Sequence, residues 1–146
     1  MKAGDSFTTS ELVVSSAEII EFATLWDPQP FHLSDEFAKQ TPFGGLFGSG
    51  LQSLCTMVKL GVESGFLTKD AVAGLAIDNL RFRTPLRPGM RVYSEFVVAE
   101  ARPSGKNASR IVAKIAAILR EVDGPEIITA ELINLYTSGD IGSQIS

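Results

Sequence analysis

Apolar positions change their spacing along this chain, and the changes mark its elements. Ile19, Ile20, Phe22, Ala23 and Trp26 form the apolar stripe of a helix. Ser15 and Glu18 have the spacing of a capping box that opens it, and Pro28 and Pro30 end it. Ahead of this helix, Phe7 to Val14 predicts a short first strand; after it, Ser34 caps a second short helix, Asp35 to Gln40. A longer helix is predicted from Ser49 to Glu63. Leu51, Leu54, Cys55, Val58 and Val62 share one of its faces, and Met57 and Leu60 widen that face. A helix so widely apolar is expected to be surrounded rather than docked on one side.

Beyond residue 70 the helical period is lost. Ala71–Arg83, Arg91–Arg102, Arg110–Glu121 and Ile127–Ser138 read as four long strands rich in Val, Ile, Leu and Phe. Leu86-Arg87-Pro88-Gly89, Arg102-Pro103-Ser104-Gly105-Lys106-Asn107 and Asp123-Gly124-Pro125 supply turn chemistry that suits antiparallel pairing. A sheet curled around one long helix accommodates both features, an α+β arrangement. With 146 residues and no internal repeat, residues 1–146 are expected to form one domain. The mean hydropathy of +0.16 is high for a small chain, and with a sheet edge to cover it points to a homodimer.

Composition narrows the chemistry. One cysteine, Cys55, excludes an internal disulfide and multi-cysteine zinc sites; its place on the apolar helix face predicts a buried thiol. One histidine, His32, means that any imidazole chemistry of this chain passes through that residue. No metal or other cofactor is expected. A net charge of −4 argues against nucleic acid as a partner. No apolar run approaches the ~18 residues of a membrane span and the N-terminus has no signal-peptide core, so a cytoplasmic protein without membrane contact is expected.

The candidate chemistry lies in Trp26-Asp27-Pro28-Gln29-Pro30-Phe31-His32-Leu33-Ser34. Two prolines stiffen a segment that carries a carboxylate and an imidazole, with ordinary pKa values of ~3.9 and ~6.5. Such a pair can divide acid and base work on one small molecule. Gly48-Ser49-Gly50 begins the long helix, whose first amides lack intrahelical acceptors and can hold a carbonyl oxygen that gains charge. Taken alone, these residues fit an acid–base site near a helix N-terminus. They fit equally a helix cap at Asp27 and a packed histidine.

Asp27-Pro28-Gln29-Pro30-Phe31-His32-Leu33, then Phe37-Ala38, then Phe43-Gly44-Gly45-Leu46-Phe47-Gly48-Ser49-Gly50, resemble the MaoC-like dehydratases, which include the (R)-specific enoyl-CoA hydratases. Asp78-Asn79-Leu80-Arg81-Phe82 and Pro85-Leu86-Arg87-Pro88-Gly89-Met90 extend the likeness, which runs from about Ser15 to Arg102. Gln29 stands where many members have Asn, and Ser49 where many have His. The resemblance implies a hot-dog fold, dimers with sites near the subunit interface, and an acyl-CoA or acyl-carrier-protein thioester as substrate. It implies that Asp27 and His32 act on the water that adds to, or leaves from, the Cα–Cβ bond, while the amides near Ser49 and Gly50 hold the thioester carbonyl.

The expected activity is therefore an (R)-specific enoyl-thioester hydratase or 3-hydroxyacyl-thioester dehydratase. His32 is assigned as base toward water and Asp27 as proton donor to Cα, in roles that can be shared or exchanged. A hot-dog thioesterase and a non-catalytic acyl-thioester-binding dimer are the alternatives. Arg81, Arg83, Arg87 and Arg91 either meet coenzyme A phosphates or form a solvated surface. Trp26 either walls the acyl pocket or packs in the core, and Ser49 either caps the helix or donates to the carbonyl.

Overall fold

A computed structural model of the protein describes residues 1–138. The first predicted strand is two short ones, β1 (Ser6–Thr8) and β2 (Leu12–Val13), both paired with the same neighbour. Helix α1 (Ser16–Trp26) opens on the capping box: Ser15 Oγ accepts from the Glu18 amide, and the Ser15 amide donates to the Glu18 carboxylate. Asp27 is its C-cap, with extended φ of −157° ahead of Pro28. Pro30 opens the single turn α2 (Pro30–Leu33), a position where its missing N–H costs nothing. Ser34 then caps α3 (Asp35–Lys39), accepting from the Phe37 amide.

After a glycine-rich loop comes α4 (Gly50–Glu63), and then the four long strands β3 (Ala71–Phe82), β4 (Arg91–Pro103), β5 (Arg110–Glu121) and β6 (Glu126–Thr137). All pairings are antiparallel, in the order β1-β4-β5-β6-β3, with β2 also on β4, giving six strands. The sheet packs on α4 through β4, β5 and β6, which gives the α+β hot-dog arrangement. Its core holds Phe96, Ile115, Leu119, Ile128 and Tyr136, all nearly inaccessible. The Tyr136 hydroxyl donates to Leu67 O, and burial pushes its pKa up.

The long helix departs from expectation in one respect. The side it turns to the sheet carries Gln52, Ser53, Thr56, Met57, Leu60 and Gly61. Small residues let the two layers approach: a Cβ on Gly61 would stand 2.5 Å from Leu67 Cδ1. Of the predicted stripe, Leu54 packs partly buried against the core and Val58 is half-buried, while Leu51, Cys55 and Val62 lie off that contact. Leu51 and Val62 are exposed, and so is Cys55, which is not the buried thiol expected. Among the described residues the helix is therefore covered by the sheet and touched by α1, rather than surrounded. Strand β3 repeats the pattern at the sheet edge: all of it except Leu80 is exposed, including the apolar Val72, Leu75 and Ile77.

Candidate active site

Three segments that are distant in sequence meet where α4 begins. The C-cap of α1 supplies Asp27, the turn α2 supplies His32, and the N-cap of α4 supplies Ser49. His32 Nε2 lies 3.5 Å from Asp27 Oδ2. That is longer than a direct hydrogen bond, yet one water oxygen can sit within about 2.8 Å of both atoms. His32 is buried, 4% exposed. It packs edge-on against Phe31 and Phe47, with centroids 4.6 Å and 4.9 Å away.

The other ring nitrogen fixes the tautomer. His32 Nδ1 is 2.7 Å from Phe47 O, and a carbonyl only accepts, so Nδ1 carries the proton. In the neutral ring Nε2 is then the basic nitrogen, and it is the one turned toward Asp27.

Asp27 is held by donors on both oxygens. Ser49 Oγ donates to Oδ2 at 2.7 Å, and Gln29 Nε2 donates to Oδ1 at 3.2 Å. The Ser49 bond keeps this carboxyl below the ordinary aspartate range; burial opposes it, while Gln29 and the nearby His32 add to it. Ser49 also accepts from the Leu51 amide at 3.2 Å, so it caps the helix and grips Asp27 at once. Of the two roles open to Ser49 in the sequence, the geometry has the cap, and its hydroxyl donates its hydrogen bond to Asp27.

These groups line a cavity of about 420 Å³, within the range of small-molecule sites. Phe43, Phe82, Leu86 and Ile127 give it apolar walls. Gly50 opens into it as the first residue of α4, one of the amides without an intrahelical acceptor. The Phe82 ring rests on Gly50, and a Cβ there would stand 2.5 Å from Phe82 Cε1. The absent Cβ is what lets the ring lie this close.

The remaining candidates divide. Arg83 lines the cavity and bonds Thr129 through Nε. Arg91 reaches Glu11, and Arg81 donates to the neighbouring Leu80 carbonyl. Arg87 is occupied by main-chain carbonyls of the glycine loop. Trp26 is 69% exposed and neither walls the cavity nor enters the core. Phe43, Phe47 and Phe82 belong to the segments that carry the resemblance, but the sequence assigns neither the aromatic walls at Phe43 and Phe82 nor the Phe47 carbonyl a place in the site. Only the count of Phe around the glycine loop hints at them. Among the described residues no group of three His, Cys, Asp or Glu side chains is placed to hold a metal, and no helix is long and apolar enough to cross a membrane.

Comparison with known proteins gives consistent matches. The family model described as MaoC like domain matches residues 2–118. The YdeM protein of Bacillus subtilis (strain 168) is 34% identical over 100 residues, 68% of this chain and 71% of that one. The 3-hydroxybutyryl-CoA dehydratase of Methylorubrum extorquens is 33% identical over 102 residues, 65% of this chain but 59% of that protein. The crystal structure of a MaoC-like dehydratase from Rhodospirillum rubrum superposes with a TM-score of 0.88 at 28% identity, covering 94% of both chains.

Proposed function

Because the chain belongs to the MaoC-like dehydratase family, we propose that it is a hydro-lyase acting on an acyl thioester. It adds water across a trans-2-enoyl thioester, or removes it from the (R)-3-hydroxyacyl counterpart, on coenzyme A or an acyl carrier protein. The observation that carries this reading is the pairing of the Asp27 carboxylate and the basic nitrogen of His32 beside one oxygen-sized position at the mouth of α4. The family relative that dehydrates 3-hydroxybutyryl-CoA supports the thioester class.

The donors on Asp27 adjust the division of labour. A carboxylate stabilised by Ser49 and Gln29 is poorly suited to be the neutral acid of a resting enzyme. His32 therefore does both proton transfers. Its Nε2 takes a proton from water as the water oxygen bonds to Cβ. The C=C electron pair moves toward the thioester carbonyl, whose oxygen gains charge beside the Gly50 amide. The imidazolium then gives that proton to Cα, so H and OH have been added and the enzyme is restored. Asp27 stays ionised throughout, accepts the water's other hydrogen, and stabilises the imidazolium.

One domain over 1–146 and a homodimer complete the proposal. The exposed apolar residues of α4, Leu51 and Val62, and the apolar edge strand β3 support a second copy as the partner, because such surfaces are costly to leave in water. The activity test uses crotonyl-CoA. Loss of the conjugated enoyl absorbance without thiol release, yielding the (R)-3-hydroxy product, is the expected result. Thiol release marks a thioesterase, and no turnover marks a binding module; either overturns the proposal.

A further inference from the structure

The tautomer of His32 depends on a carbonyl in the loop between α3 and α4. That loop, from Thr41 to Ser49, has one proline and three glycines, and no regular structure holds it. Its position is set by tethers from outside. Arg87, on the β3–β4 turn, donates from Nη1 to Gly45 O at 3.0 Å and from Nη2 to Phe43 O. Its neighbour Leu86, 1% exposed, accepts from the Gly48 amide at 2.7 Å. From the other side Asp35 accepts from the Leu46 amide at 2.9 Å. Between these tethers lies Phe47, whose carbonyl accepts a hydrogen bond from the His32 Nδ1–H.

We infer that Arg87 is a positioning residue for His32, acting through the loop carbonyls rather than on substrate phosphates. A guanidinium fork reaches two carbonyls at once, and a lysine ammonium in its place is one point charge. Leu86 is buried and so fixes one end of the turn, while Arg87 carries that rigidity to the far end of the loop. Without the fork, Phe43 and Gly45 lose their cross-links and the Phe47 carbonyl gains freedom. The ring can then carry its proton on either nitrogen, and the fraction with a basic Nε2 facing Asp27 falls.

The value of this positioning for catalysis rests on the hydratase reading, but its structural consequence can be read without turnover. His32 is the only histidine in the chain, so its ring nitrogens give an unambiguous ¹⁵N signature. At alkaline pH, where the ring is neutral, wild type should show a protonated Nδ1 and an unprotonated Nε2. Arg87→Gln should show a mixture of tautomers, and Arg87→Lys a smaller shift the same way. If Arg87→Gln does not fold, Arg87→Lys carries the test. With crotonyl-CoA, Arg87→Gln should lower kcat roughly 10–100-fold with little change in KM, as expected for a displaced catalytic group. An unchanged tautomer in the folded variants overturns the inference, as does a raised KM with wild-type kcat, which marks a phosphate contact. A wild-type enzyme inactive on crotonyl-CoA overturns the hydratase reading alone and leaves the ¹⁵N result to decide this one.

Discussion

Ser49 Oγ donates to Asp27 Oδ2 at 2.7 Å, joining the start of one helix to the end of another across 22 residues of sequence. One hydroxyl thereby caps α4, fixes the orientation of Asp27, and keeps its carboxyl below the usual aspartate range. Fold and chemistry meet in that bond, and it has consequences for both.

Asp27 has a lowered pKa in the folded state, chiefly through Ser49. Its ionisation therefore contributes stability above the unfolded value of ~3.9, and that contribution is lost as pH falls through the lower folded value. Ser49→Ala lets the carboxyl rise and also removes the cap, worth about 1 kcal/mol at any pH. Urea unfolding should show a larger gap between wild type and variant at neutral pH than below the Asp27 titration. A gap independent of pH would mean that the bond does not stabilise the carboxylate.

Two glycines of α4 should respond differently to alanine. At Gly61 the new methyl meets Leu67 Cδ1 at 2.5 Å and Phe96 Cζ at 2.7 Å, both buried. Overpacking there should cost about 1–3 kcal/mol. At Gly50 it meets the Phe82 ring, which is 62% exposed and can swing aside. Gly50→Ala should therefore unfold within about 1 kcal/mol of wild type, since alanine is the better helix former, yet lose hydration activity as the ring is pushed into the cavity. Denaturant melts of both variants, with the crotonyl-CoA assay on Gly50→Ala, check the contrast. Equal destabilisation at the two positions would contradict it.

The apolar side of β3 should hold the second copy. Ile77, on this edge strand, is left 47% exposed by the described residues. Ile77→Lys places a charge where strands or apolar faces would meet. Sedimentation should give a dimer for wild type, and a dissociation constant raised at least tenfold for the variant. A wild-type monomer at micromolar concentration would remove the dimer from the account.

The elements were legible because their signals are local. Ser15 and Glu18 announce α1, Ser49 announces α4, and the four long strands fall within a residue or so of their predicted ends. The one-turn helix α2 was not legible, since Phe31-His32-Leu33 after a proline reads equally as loop. Nor was the direction of the α4 stripe. Apolar periodicity says that a face seeks cover, not whether the same chain supplies it, and here Ser53 and Gly61 face the sheet because close approach favours small side chains. The pairing of Asp27 with His32 came from a resemblance, because spacing alone cannot orient two side chains across two prolines. Arg87 shows the limit most plainly. Its charge fits phosphate or a solvated surface, while its partners are carbonyls more than forty residues earlier in the chain.

The central claim is that His32, with Asp27 beside it, moves the protons of hydration. The most direct measurement compares crotonyl-CoA hydration by wild type and by His32→Ala, with folding checked by circular dichroism. The variant should remain folded and lose roughly 10²–10⁴-fold in rate, the usual contribution of a general acid–base group. A folded His32→Ala protein hydrating crotonyl-CoA at the wild-type rate would contradict the account, since no other histidine in the chain can take the role.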